Sequence, residues 1–155
     1  MMAAIQWGAN RNLVSMKDGR KAAHGLLASD PGWNNHIHGM CGEMAVAKVL
    51  GVYFEPTINT FKKADIGDSV QVKTRTSHTY DLIVRRDDCD AHWFVLVTGV
   101  GFEFRVWGAI LGKDARRAEY LKDHGNRERA WFVPKENLIE IAKWMKFMRD
   151  SQEVF

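Results

Sequence analysis

Gln71, Lys73 and Arg75 occupy alternate positions in a short run that follows a turn, and Val70 and Val72 occupy positions between and before them. Because strand side chains alternate between faces, the pattern predicts an apolar face for a core and a face that carries an amide, an ammonium and a guanidinium. Asp65 and Asp68 come just before this strand. Aspartate favours turns, and its carboxylate also suits Mg²⁺. The segment could therefore hold a metal ion beside a phosphate, and the choice between these two uses of aspartate stays open.

Glu43 lies near the start of a predicted helix over Met40–Leu50, which Gly51 should end as a C-cap. The residues one turn further along are apolar and should face the sheet. A carboxylate in such a stripe is costly unless it has a partner. Two interpretations remain: Glu43 stabilises the helix N-terminus through the macrodipole, or it takes part in a metal site.

The order of these residues resembles the PD-(D/E)xK nuclease superfamily, in particular its small phage and restriction-type endonucleases. In that pattern a helical Glu comes first, an Asp opens the second core strand, and an (Asp/Glu)-x-Lys motif lies on the third. Glu43, Asp65 and the run Gln71-Val72-Lys73 match these places, within a resemblance that covers 39–134. Ala64 stands where a proline usually precedes the Asp, and Gln71 replaces the usual acid. An amide oxygen binds metal without adding negative charge, so looser metal binding should follow.

The resemblance implies a Mg²⁺- or Mn²⁺-dependent endonuclease that hydrolyses phosphodiester bonds, with DNA as its substrate. It implies that Glu43, Asp65, Gln71 and Lys73 are catalytic, and that the first three hold the metal together with the Val72 carbonyl. Lys73 would stabilise the attacking hydroxide or the charge that develops on the phosphate. Basic residues near this site are expected to contact nucleic acid: Arg75, Lys62, Lys63, Arg85 and Arg86.

Two other classes of function stay open. One is a nucleic-acid-binding protein of the same fold with little or no catalysis, which the uncharged Gln71 favours. The other is a zinc-binding module. Imidazole and thiolate suit zinc, and the chain offers two separated groups of such residues: His36, His38 and Cys41, then Cys89 and His92.

Length and composition indicate one domain with a core of its own. The 155 residues are 46% hydrophobic and 26% charged, and the net charge of +3 permits nucleic-acid binding without requiring it. Two cysteines exclude a disulfide scaffold and favour a reducing cytoplasm, in a bacterium or a phage-infected cell. We expect neither a membrane span nor a signal peptide. With no additional domain for reading sequence, structure-selective or weakly sequence-selective cleavage is expected, unless a homodimer or another partner supplies recognition.

The chain is predicted to be an α/β protein with a central mixed sheet flanked by helices, a core like that of restriction endonucleases. An N-terminal arm of helix and loop should cover 1–38, with Asn34–His38 as loop, and a C-terminal helix 135–155. Periodicity predicts further helices over Ala115–His124 and Lys135–Met148. Strands are predicted in order at Val52–Phe54, Val70–Thr76, Tyr80–Arg86, Trp93–Val100 and Glu103–Leu111.

Overall fold

Two long helices come first in the computed structural model, which describes residues 2–17, 33–54, 63–101, 103–123, 125 and 128–151. Helix α1 spans Met2–Lys17 and α2 spans Trp33–Leu50. The predicted C-cap is confirmed, since Gly51 has a φ of 72° and its N–H donates to the Lys48 carbonyl.

Seven strands follow in two sheets among the described residues. In chain order they are β1 Val70–Arg75, β2 Leu82–Val84, β3 Trp93–Val100, β4 Glu103–Leu111, β5 Leu121–Lys122, β6 Ala130–Val133 and β7 Ile139–Glu140. The larger sheet has the order β1-β3-β4-β7; β1 is parallel to β3 and the other pairs are antiparallel. The smaller antiparallel sheet has the order β2-β6-β5. The described residues thus form one α/β domain with a mixed sheet flanked by helices, as predicted.

Strand β3 separates two cores, which explains its nearly continuous apolar sequence. Val95 and Val97 pack with α2 and with the last helix, α4, which spans Ile141–Asp150. Phe94 and Leu96 face the opposite way and pack with residues of the smaller sheet. Burial on both faces favours such an unbroken apolar run.

Four of the predicted elements differ from the structure. Helix α2 begins at Trp33 instead of Met40, and the predicted loop Asn34–His38 is helical because Ile37 packs against α1. Tertiary contact of this kind overrides a weak local propensity. In the described structure, Val52–Phe54 belongs to no strand.

The predicted helix over Ala115–His124 is also wrong within its described part. A short helix α3 covers Gly112–Ala115, a 3₁₀ turn covers Ala118–Tyr120, and β5 follows. Tyr120 is buried in the core beside the smaller sheet, and β5 pairs with β6. These tertiary contacts hold the segment in a non-helical form.

The predicted helix Lys135–Met148 is correct only from Ile141 onward. Lys135–Asn137 forms a 3₁₀ turn, and β7 then pairs with β4. A Cβ on Gly108 of β4 would lie 2.3 Å from the Ile139 carbonyl oxygen, so this glycine lets β7 come close enough to pair. Among the described helices, none is long and apolar enough to cross a membrane.

Two glycines determine how closely the first two helices pack. A Cβ on Gly8 of α1 would lie 2.6 Å from the Ile37 Cα on α2. A Cβ on Gly42 of α2 would lie 2.0 Å from Thr74 Oγ1 on β1. Without side chains at these positions, α1 packs closely on α2, and α2 on β1. The residue after Gly42 is Glu43, so this packing fixes the distance of its backbone from β1.

Candidate active site

Asp65 is held against the exposed edge of β1 by three hydrogen bonds. Its Oδ2 accepts from Gln71 Nε2 at 2.8 Å and from the Val72 backbone N–H at 2.7 Å. Its own N–H donates to the Val70 carbonyl at 2.8 Å. In a strand the N–H and C=O of one residue point to the same side. The Val72 carbonyl therefore faces the same edge as the Asp65 carboxylate.

Glu43 lies on α2, one residue after the Gly42 that packs on Thr74 of β1, and is 5% exposed. Arg11 of α1 holds it in a two-pronged ion pair, with Nη1 2.8 Å from Oε1 and Nη2 3.2 Å from Oε2. Such paired contacts fix both the position and the orientation of a carboxylate. The guanidinium also offsets part of the cost of burying Glu43.

The two carboxylates influence each other. Burial, reinforced by the charge of Asp65, raises the pKa of Glu43 to about 7 against the opposing effect of Arg11. Burial also raises the pKa of Asp65, although its bond from Val72, the charges of Arg11 and Lys73 and the bond from Gln71 act in the other direction. Asp65 and Gln71 are thus held together at the free edge of β1, the strand that also carries Lys73, and Glu43 lies near enough for the charge of Asp65 to act on it.

Lys73 projects from the same face of β1 as Gln71 and lies over the Phe94 ring, with Nζ 5.2 Å from its centroid. Its ammonium is 2.8 Å from Asp88 Oδ1, and Asp88 Oδ2 accepts a bond from the Arg85 N–H at 2.8 Å. The turn between β2 and β3 therefore supplies the carboxylate that holds Lys73 in place. With its side chain 21% exposed, Lys73 remains open to solvent at the edge of the site.

The oxygens at this edge suit a hard divalent cation. Asp65 and Glu43 contribute carboxylates, and the Gln71 amide and the Val72 carbonyl contribute neutral oxygens, the ligand types that Mg²⁺ prefers. These two carboxylates with raised pKa values would both be stabilised in ionised form by such a cation. No group of three or more His, Cys, Asp or Glu side chains forms a metal-binding cluster among the described residues. The proposed site contains only two such side chains, Glu43 and Asp65, because the Gln71 amide stands in place of a third acid.

The four described basic residues expected near the site divide into two groups by exposure: Arg75 and Arg85 are half-buried, and Lys63 and Arg86 are exposed. Arg75 lies on β1 with its guanidinium 4.7 Å from the Tyr80 ring, and both burial and nearby Arg85 lower its pKa. Lys63 and Arg86 are exposed and form no ion pair with the described carboxylates. Lys62 falls outside the described residues.

The structure does not assemble the zinc site. His38 Nε2 lies 2.6 Å from the Gly99 carbonyl oxygen, and Cys41 is buried in the contact between α1 and α2. Cys89 is exposed in a turn whose carbonyl accepts a bond from the His92 N–H. These five residues, all within the described part of the chain, form no metal-binding cluster. Asp68, the other aspartate considered, is exposed and shares none of the hydrogen bonds of Asp65.

Arg11 and Asp88 are the two site residues that the sequence interpretation missed. Arg11 follows Gly8 by three residues, so both lie on the α1 face that packs on α2. A glycine and an arginine at this spacing were a weak signal of a buried ion pair. Asp88 was assigned only to a polar turn, and nothing in the local sequence marked it as the partner of Lys73.

No protein-family model matches the chain, and neither a curated protein nor a solved structure was found to be similar to it.

Proposed function

We propose that this protein is a metal-dependent nuclease that hydrolyses phosphodiester bonds of DNA. The observation that supports this best is the pair of bonds by which Gln71 and Val72 hold Asp65 at the free edge of β1, the strand that also carries Lys73. Two carboxylates, a neutral amide and an ammonium are the parts that a metal-assisted attack on a phosphodiester needs.

Each side chain has a part in this proposal. Asp65, Gln71 and the Val72 carbonyl would hold Mg²⁺ or Mn²⁺, and Glu43 would hold a second ion or orient the attacking water. The cation supplies activation of water at neutral pH and neutralisation of phosphate charge. Lys73 stabilises negative charge that develops in the transition state. Asp88 holds that ammonium in position.

The order of elements supports a core like that of restriction endonucleases. Glu43 lies on a helix that packs on β1, and Asp65 precedes β1. The Gln71-Val72-Lys73 run lies within β1, and the next strand of the same sheet, β3, is parallel to it. The order Glu43, Asp65, Gln71-Val72-Lys73 follows the PD-(D/E)xK pattern with two departures. Gln71 replaces an acid, and Asp65 opens no strand of its own among the described residues but precedes the same strand that carries the motif.

A second candidate is a nucleic-acid-binding protein with weak catalysis. Two observations favour it: Gln71 brings no charge to the site, and Arg11 occupies both oxygens of Glu43. A cation entering such a site finds less negative charge than three carboxylates would provide.

Incubation of the purified protein with supercoiled, linear, branched and single-stranded DNA, and with RNA, tests the proposal. Each substrate is supplied with Mg²⁺, Mn²⁺ or EDTA. We expect cleavage only with a divalent cation, and faster cleavage with Mn²⁺, which generally binds such ligands more tightly. Equal cleavage in EDTA would rule out the metal mechanism. Binding of nucleic acid with no cleavage under any condition would favour the second candidate.

A further inference from the structure

A row of residues crosses three strands of the larger sheet next to the proposed site. Arg75 on β1 pairs in register with Thr98 on β3, which pairs in turn with Arg105 on β4. Adjacent strands lie about 4.8 Å apart, so the row spans roughly 10 Å. Arg75 follows Lys73 by two residues on the same face of β1, a separation of about 7 Å. The row therefore begins beside the site and leads away from it.

Aromatic rings and Thr98 hold the cations of this row in place. The Arg105 guanidinium lies 3.8 Å from the centroid of the Trp107 ring, and Lys135 Nζ lies 5.2 Å from it. Trp107 Nε1 donates to Thr98 Oγ1 at 2.6 Å, which anchors the ring. His78 Nδ1 lies 2.6 Å from the same oxygen, and the His78 carbonyl accepts a bond from Lys135. Stacking on an aromatic face orients a cation without neutralising it.

Within the described structure the cations of this row form no ion pair with a carboxylate, although the charge of Asp81 lies near Arg75. Arg116, Lys122 and Arg129 each pair with an aspartate. Arg75, Arg105 and Lys135 form no such ion pair. A surface that orients several cations and leaves them without an ion-paired carboxylate attracts a polyanion.

We propose that these residues bind the sugar-phosphate backbone of the nucleic acid on one side of the cleavage site. The basic strip is defined as Arg75, Arg105 and Lys135 together with the rings that hold them, Tyr80 and Trp107. This inference rests on the proposed function and adds the path of the bound strand. The contacts are to phosphate, which positions a strand without reading its sequence.

Salt-dependent binding measures the inference directly. The probe is a short fluorescein-labelled DNA duplex, and fluorescence anisotropy in EDTA gives its affinity at several salt concentrations without cleavage. The double variant Arg105→Gln, Lys135→Gln should bind more weakly and show a slope of log affinity against log salt reduced by roughly 1.8, about 0.9 for each phosphate contact. Arg105 is exposed, and Arg105→Gln alone should show about half of that reduction in slope. Arg105→Lys keeps the charge and should keep the wild-type slope.

The matched control removes the same charge from the other face of the sheet. Lys143→Gln, Lys146→Gln changes two exposed residues of α4, which packs on the opposite core. It should leave the slope at the wild-type value. If the wild-type protein binds and cleaves DNA but the strip variants keep the wild-type slope, the strip is overturned and the nuclease proposal stands. A wild-type protein that neither binds nor cleaves DNA would overturn both.

Discussion

At the scale of single residues, Gln71 determines how much negative charge the site offers a cation. Its Nε2 donates to Asp65 Oδ2, an arrangement that a carboxylate at position 71 could not make. An acid there would instead face another buried acid, and each would disfavour ionisation of the other.

Gln71→Glu should therefore act in opposite directions with and without metal. In EDTA the variant should have a lower thermal midpoint than the wild type, because a hydrogen bond is replaced by repulsion. With Mg²⁺ it should gain more stability than the wild type, since ligand binding to the folded state stabilises it in proportion to affinity. Thermal unfolding across a Mg²⁺ series measures both effects. If Mg²⁺ raised the thermal midpoint of the variant by no more than that of the wild type, a ligand role for residue 71 would be contradicted.

The raised pKa of Glu43 gives a pH dependence of stability in the metal-free protein. Glu43 titrates near 7 when folded, beside Asp65 and Arg11, and near 4.5 when unfolded. Between these values the folded state binds more protons, so the free energy of unfolding should fall as pH rises from about 4.5 to 7. Denaturant unfolding in EDTA over this range tests the sign. The decline should be smaller in Glu43→Gln, and an identical decline in the two proteins would refute the assignment.

At the scale of elements, the contact of α2 with β1 places Glu43. Gly42→Ala would put a methyl group 2.9 Å from Thr74 Cβ, which forces the helix away from the strand. Overpacking of this kind typically costs about 1–3 kcal/mol. We expect that loss in denaturant unfolding, together with slower cleavage because Glu43 moves with the helix.

Gly39 offers a matched control one turn earlier in α2. An added Cβ there would meet no heavy atom within 4 Å, so Gly39→Ala should stabilise the helix by about 0.5–1 kcal/mol. If Gly42→Ala were as stable as Gly39→Ala, the close approach of α2 to β1 would not be what positions the site.

The sequence predicted some elements well because their patterns reflect burial directly. Strand β1 alternates, β3 is apolar throughout, and β4 follows it across a glycine-containing turn, so all three were found near their observed bounds. The segment from Lys135 was interpreted as continuous helix because Leu138 and Ile141 fit helical spacing. Pairing with β4 determines the structure of that segment, and the local sequence gives no sign of this pairing.

At the scale of the whole molecule, the site depends on contacts between distant parts of the chain. Arg11 and Glu43 are 32 positions apart, and Lys73 and Asp88 are 15 apart. Asp65 and Gln71 could be anticipated as neighbours, because a short turn joins them. Arg11 could not, since its place follows from the packing of α1 on α2 at Gly8. The second sheet was likewise unforeseen, since β5 is short and lies within a segment interpreted as helix, and the short strand β6 follows that segment.

The central claim is that Asp65 holds a cation for phosphodiester cleavage, and a comparison of Asp65→Asn with the wild type tests it most directly. Asparagine keeps an oxygen that can accept the bonds from Gln71 and Val72, but it removes the charge. The measurement is the rate of DNA cleavage at saturating protein in Mn²⁺, with duplex affinity and thermal midpoint recorded for both proteins. We expect a rate lower by at least about 10²-fold with affinity retained. Cleavage by Asp65→Asn at the wild-type rate would contradict the account.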